Sequence, residues 1–158
     1  MSLFENSQYR WRETYFVLFS DRNRPAASAV QDTLRDLGRR YEIGDVRTDD
    51  QGRFEFVSMH SPHDFAAMDI AYINGDDVTT HVQKVQEELK SMTLTGDELR
   101  KAAKLSDCNS RFDIYHFEQV TEGDEDEMLD PGALLIVMEQ LAALCDGIGI
   151  DPVSGALM

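Results

Sequence analysis

The chain has 158 residues, of which 42% are hydrophobic, and this length allows one domain with a buried core of its own. Its 30 acidic and 15 basic residues give a formal net charge of -15, which disfavours binding to nucleic-acid phosphates and to anionic membranes. The acidic excess lies entirely in residues 54–158, because residues 1–53 hold nine side chains of each sign. We therefore expect a solvated acidic exterior that favours solubility, and the alternative is a nucleic-acid mimic or a partner for a basic protein.

The cysteine pattern and the absence of long apolar stretches predict a cytoplasmic protein. Cys108 and Cys145 show neither CxxC spacing nor the density of a disulfide framework, so we expect two free, buried thiols. Residues 1–13 contain no apolar core of signal-peptide length. The longest apolar run is 133–138, far shorter than the roughly 20 residues that span a bilayer. We expect no membrane association.

The N-terminal third predicts a strand followed by a helix. Residues 1–10 carry no clear pattern, and we expect them to be flexible. The continuous apolar run from Tyr15 to Phe19 is typical of a strand that is buried on both faces. Pro25 suits the first position of a helix that ends at Gly38, and three aliphatic residues form its apolar stripe: Val30, Leu34 and Leu37.

A hairpin and a less certain connection follow. Residues 41–47 and 53–59 flank a turn rich in Asp and Gly, a pattern that predicts two antiparallel strands. Strict alternation would place Phe54 and Phe56 on one face of the second strand. Residues 61–68 fit either a capped helical turn or a loop between two antiparallel strands, and the loop is favoured.

Residues 66–89 hold a predicted strand, a turn and a helix without interruption. The apolar run at 68–73 predicts the strand, and Asn74-Gly75 ends it. Asp76 is a suitable N-cap for a helix whose apolar stripe needs a sheet to cover: Val78, Val82, Val85 and Leu89. Thr95-Gly96-Asp97-Glu98 matches a capping box before a second, shorter helix that reaches Leu105.

The C-terminal third predicts a strand, an acidic loop and an apolar helix. Residues 112–120 carry aromatic or aliphatic groups on both faces, as in a strand within the sheet. The charged segment 121–130 predicts a disordered loop, and the helix that follows is apolar through most of 133–145. Such a helix lies between two layers or forms a homodimer contact. Ile148 and Ile150 predict a last short strand.

The predicted order of elements is β-α-β-β-β-α-α-β-α, with the short strand at the end. This order indicates one α+β domain over 1–158, with a mixed or antiparallel sheet and helices mainly on one face. A ferredoxin-like sandwich with additions is the favoured arrangement. Because that fold carries many unrelated functions, it does not predict an activity.

One candidate catalytic or metal-binding group stands out, although the sequence lacks the P-loop, GxGxxG, HExxH and GxSxG motifs. It comprises His60, His63 and Asp64, with His116 as a fourth member if the fold brings it near. Imidazoles and carboxylates at this spacing can act in acid–base catalysis or hold a metal ion. The spacing also arises by chance, so we expect ordinary loop and core histidines, no metal and no cofactor. His81, on a polar flank of its helix, is expected to be a surface residue.

A second candidate is an anion site in the loop between the first strand and the first helix. Its members are Ser20, Arg22, Asn23 and Arg24. Free amide groups at a helix start and two guanidinium groups can bind a phosphate or a carboxylate. The alternative is that Arg22 and Arg24 offset nearby acidic groups.

Three functional hypotheses follow from the sequence. The favoured one is a non-enzymatic binding or protein-interaction domain that forms a homodimer through the 133–145 helix. The second is a small enzyme that uses His60, His63 and Asp64 on a small substrate. The third is an acidic immunity-type or inhibitor protein that binds a basic partner, for which the acidic loop 122–127 is one contact surface.

Overall fold

The computed structural model describes residues 3–120 and 132–158, which form a seven-stranded sheet with antiparallel pairing throughout. The strands are β1 (Tyr9–Phe19), β2 (Glu42–Ile43), β3 (Arg47–Thr48), β4 (Phe54–Ser61), β5 (Ala66–Asn74), β6 (Ser110–Gln119) and β7 (Ile148–Ile150). Their order is β2-β4-β5-β6-β1-β7, and β3 also pairs with β4. The predicted α+β class and antiparallel sheet are confirmed.

Four α-helices within the described residues cover this sheet on both faces. They are α1 (Ala27–Arg35), α2 (Asp76–Leu89), α3 (Gly96–Lys104) and α4 (Gly132–Cys145). Alternate residues of β1 belong to different cores: Tyr15 and Val17 pack with α1 and α4, whereas Phe16 and Leu18 pack with α2. The prediction of helices mainly on one face was therefore wrong. We call the side of Tyr15 and Val17 the first face and the side of Phe16 and Leu18 the second face.

The first face carries the larger core. Val30 and Leu34 of α1 are fully buried against it, beside Leu134 and Val137 of α4. Helix α4 buries one side on the sheet and exposes the other, where Ile136 retains 41% of its surface. It thus lies on a layer rather than between two layers. Asp130 and Pro131, the predicted start of this helix, and the acidic segment 121–130 fall outside the described residues.

The second face is covered at one end by α2. The four aliphatic residues of its predicted stripe are all buried: Val78, Val82, Val85 and Leu89. They pack with Leu18, and Leu105 joins them from the turn that follows α3. The predicted capping box of α3 is present, since the Thr95 side chain accepts from the Glu98 amide and Glu98 bonds back to the Thr95 amide. The stripe and the capping box are thus confirmed, whereas the N-cap of α2 is Gly75 and not the predicted Asp76.

The predicted topology is only partly confirmed. Strands β4, β5 and β6 are neighbours in the sheet as well as in the sequence, and β6 pairs with β1. This order does not confirm the ferredoxin-like sandwich. The strand predicted at 41–47 divides into the two-residue strands β2 and β3, and helix α1 begins at Ala27 instead of Pro25. The carbonyl of Pro25 instead accepts a hydrogen bond from the Phe54 amide, which ties this residue to the sheet.

The turn between β4 and β5 combines both interpretations of residues 61–68. The two strands are antiparallel, as predicted, and a single 3₁₀ turn over Pro62–Asp64 joins them. At the other end of β4, the register against β3 shifts so that Arg47 faces Phe56 while Thr48 faces Phe54. A bulge of this kind changes which face a side chain lies on. Phe54 therefore joins the core of the first face with Val57, and the predicted shared face of Phe54 and Phe56 was wrong.

The segment expected to be flexible at the N-terminus has a packed part. Residues Leu3–Glu5 form a 3₁₀ turn over the second face, far from α2 along the strands. Leu3 is buried against Ala67 and Phe117, and its amide donates a hydrogen bond to Asp69. Within the described ranges, no helix combines the length and the apolar character that crossing a bilayer requires.

Candidate functional site

The structure separates the four histidine and aspartate candidates. His60 lies on the second face, because it is paired with Ala67, which is paired in turn with Phe117. His116 follows the opposite alternation and is buried on the first face, where its Nδ1 lies 3.3 Å from Oε1 of Glu13. The thickness of the sheet thus lies between the two imidazoles. His63 is exposed in the turn after β4.

Asp64 is already engaged by other groups. The Arg40 guanidinium donates to both of its carboxylate oxygens, and the hydroxyl of Ser61 donates to one of them. Because the Arg40 hydrogen bonds stabilise the charged form, the pKa of Asp64 lies below its ordinary value. Among the described residues, no three His, Cys, Asp or Glu side chains are arranged to hold a metal ion.

The basic loop after β1 is held together by its own contacts. The amides of Asn23 and Arg24 donate to carbonyls within the loop, and the Ala27 amide donates to Gly52 at 2.9 Å. The Arg24 guanidinium donates to the Phe54 carbonyl at 2.9 Å and lies over the Tyr72 ring at 3.7 Å. These amides and Arg24 therefore have structural partners. Of the predicted anion ligands, Ser20 caps a short 3₁₀ turn without a side-chain bond, and Arg22 is exposed near Asp107.

The second face carries an aromatic surface at the end of the sheet opposite to α2. It consists of Phe4, Tyr9, Trp11, His60 and Tyr115. The Phe4 ring packs edge-on against Tyr115 at 5.3 Å, and Tyr9 packs against His60 at the same distance. Phe4 and Trp11 keep 58% and 48% of their surfaces exposed. Large aromatic side chains that stay exposed in a group of this kind mark binding surfaces.

An acidic side chain lies at the edge of the aromatic surface. Arg10 and Arg12 both reach Glu118, but the pairing of Glu118 with Arg10 and Ala66 places this carboxylate on the first face, on the other side of the sheet. Burial is the larger cause of the raised pKa of the Tyr9 phenol, and the nearby negative charge of Glu42 raises this pKa further. An apolar centre with a polar rim is the usual anatomy of a protein interface.

A buried polar row lies on the second face between the aromatic surface and α2. The Arg111 guanidinium donates twice to the Asp113 carboxylate, which also accepts from the Tyr115 hydroxyl at 3.2 Å. Asp69, fully buried beside them, accepts from the Leu3 amide at 2.9 Å and from the Ser58 hydroxyl. Both carboxylates thus have strong donors, which is the condition for keeping them inside a protein.

A groove of about 490 Å³ lies next to this row, between α2 and the turn that follows β7. We call it the α2 groove. Its lining comprises Phe16, His81, Lys84, Val85, Glu88, Ser91, Met92, Ile150, Asp151, Pro152, Val153, Ser154 and Gly155. The helical members recur at the spacing of one α2 face. The groove therefore combines apolar walls with charges of both signs.

His81 connects the groove to the polar row. Its ring packs on Phe16 at 4.8 Å, and its Nδ1 lies 3.1 Å from Nη1 of Arg111. A guanidinium has no acceptor, so Nδ1 of neutral His81 accepts this bond and its Nε2 carries the proton. Burial, and next the Arg111 charge, lower the pKa of His81. The expectation of an ordinary surface histidine was wrong, because the helix flank faces the polar row and not open solvent.

This lowered pKa predicts an acid-sensitive stability. The unfolded chain, in which His81 has its ordinary pKa of 6.5, binds the proton before the folded protein does. Stability should therefore decrease as the pH falls from about 7 to about 5. Urea midpoints across this window should fall less in His81→Gln than in wild type, while the exposed control His63→Gln should keep the wild-type slope. Equal slopes for wild type and His81→Gln would contradict this assignment.

The two cysteines are free, as predicted. Burial raises the pKa of Cys108 to about 11 and that of Cys145 to about 12. Both sulfurs also lie within hydrogen-bonding distance of helix carbonyls, those of Lys104 and Leu141. Since the thiolate is the reactive form, these contacts describe structural rather than nucleophilic cysteines.

The groups that the structure brings together were mostly not singled out by sequence reasoning. The alternation of Arg111, Asp113 and Tyr115 along β6 was a usable signal, because three polar or amphipathic side chains at every second position share one face. Their proximity to His81 and Asp69 depends on strand order and on the position of α2.

No protein-family model, no curated protein and no solved structure matches the chain.

Proposed function

We propose that the protein is a non-enzymatic interaction domain that binds a basic partner protein through the aromatic surface. The observation that carries this proposal is the group of exposed aromatic rings, above all Phe4 and Trp11, on the second face of the sheet. Tryptophan and other aromatic residues supply much of the binding energy at protein interfaces, because they bury a large area at a low cost in side-chain entropy.

The electrostatics of the chain support a basic partner. A net charge of -15 attracts cationic proteins over distances beyond direct contact and accelerates their association. Beside the aromatic surface, Glu42 contributes a negative charge near Tyr9, whereas the Arg10–Glu118 pair lies on the other face of the sheet. In this proposal the aromatic side chains provide the affinity, and the negative charge accelerates the approach of the basic partner.

Binding should depend on the aromatic surface and on ionic strength. The wild-type protein is used to capture its partner from native lysate, and the partner is then purified. Its affinity is measured for three proteins: wild type, the double variant Phe4→Ala/Trp11→Ala and the control Leu99→Ala. Leu99 is also an exposed apolar residue, at 57%, but it lies on α3 away from this surface. We expect the double variant to lose about 30-fold or more in affinity, and the control to match wild type.

Salt and mass measurements complete the test. The affinity for a basic partner should fall as the ionic strength rises. An affinity that is unchanged both by the salt concentration and by the replacement of Phe4 and Trp11 would overturn the proposal. Light scattering tests the alternative that a second copy of the chain is the partner, through the outer side of α4, where Ile136 is exposed. A dimer abolished by Ile136→Glu, with no other partner, would favour that alternative.

A further inference from the structure

The α2 groove carries two opposite charges that do not neutralise each other. Lys84 and Glu88 are four residues apart on α2, a spacing at which such side chains commonly pair. Among the ion pairs formed by the described residues, however, neither Lys84 nor Glu88 takes part. Both line the same groove, and both lie close enough to His81 to affect its pKa in opposite directions.

Glu88 extends across the groove and away from Lys84. A Cβ atom built on Gly155 would lie 3.1 Å from Oε2 of Glu88, which places this carboxylate against the turn that forms the opposite wall. Asp151 begins the same turn, where its carboxylate accepts from the Val153 amide at 2.8 Å. Negative charge is therefore concentrated at the wall that the C-terminal turn provides.

Hydrogen-bond donors and apolar surface occupy the rest of the groove. Lys84 and His81 line the groove three residues apart on α2, and each carries an N–H donor, the ammonium of Lys84 and Nε2 of His81. Met92 and Val153 keep 43% and 89% of their surfaces exposed, and Phe16 of β1 lines the same groove. The groove thus offers a cationic part, an anionic part and an apolar part within about 490 Å³.

From this arrangement we propose that the α2 groove binds a zwitterionic small molecule with an apolar side chain, of the class of free α-amino acids. The ligand carboxylate meets Lys84 and His81, the ligand ammonium meets Glu88 beside Asp151, and the apolar side chain contacts Phe16, Met92 and Val153. A zwitterion satisfies both unpaired charges while adding no net charge to an already acidic protein. This site is separate from the aromatic surface, so it does not depend on the proposed protein interaction.

Calorimetric titration of the full chain tests the proposal with defined probes. The probes are L-leucine, L-methionine and L-phenylalanine, each compared with its N-acetyl derivative and its methyl ester. The acetyl group removes the ammonium charge and the ester removes the carboxylate charge, while the apolar side chain is unchanged. We expect binding of at least one free amino acid, and a loss of about tenfold or more in affinity for each of its derivatives.

Matched variants assign the two charges. Lys84→Met should lower the affinity for the free amino acid but leave the affinity for its methyl ester unchanged. Glu88→Gln should also lower the affinity for the free amino acid but leave the affinity for its N-acetyl derivative unchanged. Glu87→Gln is the control, since Glu87 is exposed and pairs with Lys90 outside the groove. Absence of binding by all three amino acids at millimolar concentration would overturn the proposal. Equal affinity for free and derivatised forms, or equal effects of Glu87→Gln and Glu88→Gln, would do so as well.

Discussion

Replacing Val82 with aspartate is expected to unfold the protein. Val82 is 6% exposed and lies in the middle of the α2 stripe, packed on the core of the second face. The substitution removes about 1.5 to 3 kcal/mol of apolar burial and places a carboxylate among aliphatic side chains, which costs several kcal/mol more. Their sum approaches the whole stability of an ordinary domain. Circular dichroism and thermal melting should show loss of the cooperative transition.

The matched control is Gln83→Asp, which introduces the same side chain one residue further along α2 at an exposed position. This variant should melt cooperatively near the wild-type temperature. Val82→Ala should lie between the two, because it leaves a cavity without burying a charge. A cooperative melt of Val82→Asp close to wild type would show that α2 does not cover the sheet as described.

Removing the cation of the buried polar row is the second change with a large expected effect. The side chains of Arg111 and Asp113 are only 13% and 7% exposed. Arg111→Met leaves the Asp113 carboxylate buried without its counter-charge and also removes the contacts of Arg111 with His81 and Phe16. We expect a loss of about 3 to 5 kcal/mol in the free energy of unfolding, measured by urea titration.

A double variant separates the loss of a charge partner from the loss of packing. Arg111→Met/Asp113→Leu replaces the buried ion pair with apolar side chains, a change that is often nearly neutral. It should therefore be more stable than Arg111→Met alone. If the double variant is less stable than the single one, the pair is not the buried, desolvated unit that the structure describes.

Local patterns in the sequence predicted the individual elements well, because their causes lie within a few residues. The stripe of Val78, Val82, Val85 and Leu89 and the capping box of Thr95 and Glu98 depend on helical spacing alone. The two-residue strands at 42–43 and 47–48 were not resolved by the same reasoning, since a β-bulge arises from pairing with another strand and has no period of its own.

The candidate site shows the same limit more clearly. His60, His63 and Asp64 are close in sequence, but alternation along β4 and the turn after it sends their side chains in different directions. Arg111 and His81 are distant in sequence and meet only because β6 and α2 are neighbours, and Asp69 joins the same polar row only because β5 pairs with β6. Spacing in a sequence is therefore a poor guide to a site assembled from three elements.

For this protein the sequence alone determined the acidic charge, the α+β class, the buried face of helix α2 and the capping box of α3, because each depends on composition or on a short pattern. Tertiary structure decided the strand order, the placement of helices on both faces, and the meeting of the α2 groove with the polar row. These features follow from which strands pair and which layers bury them. Such choices are made by the free energy of the whole packed chain and not by any one segment.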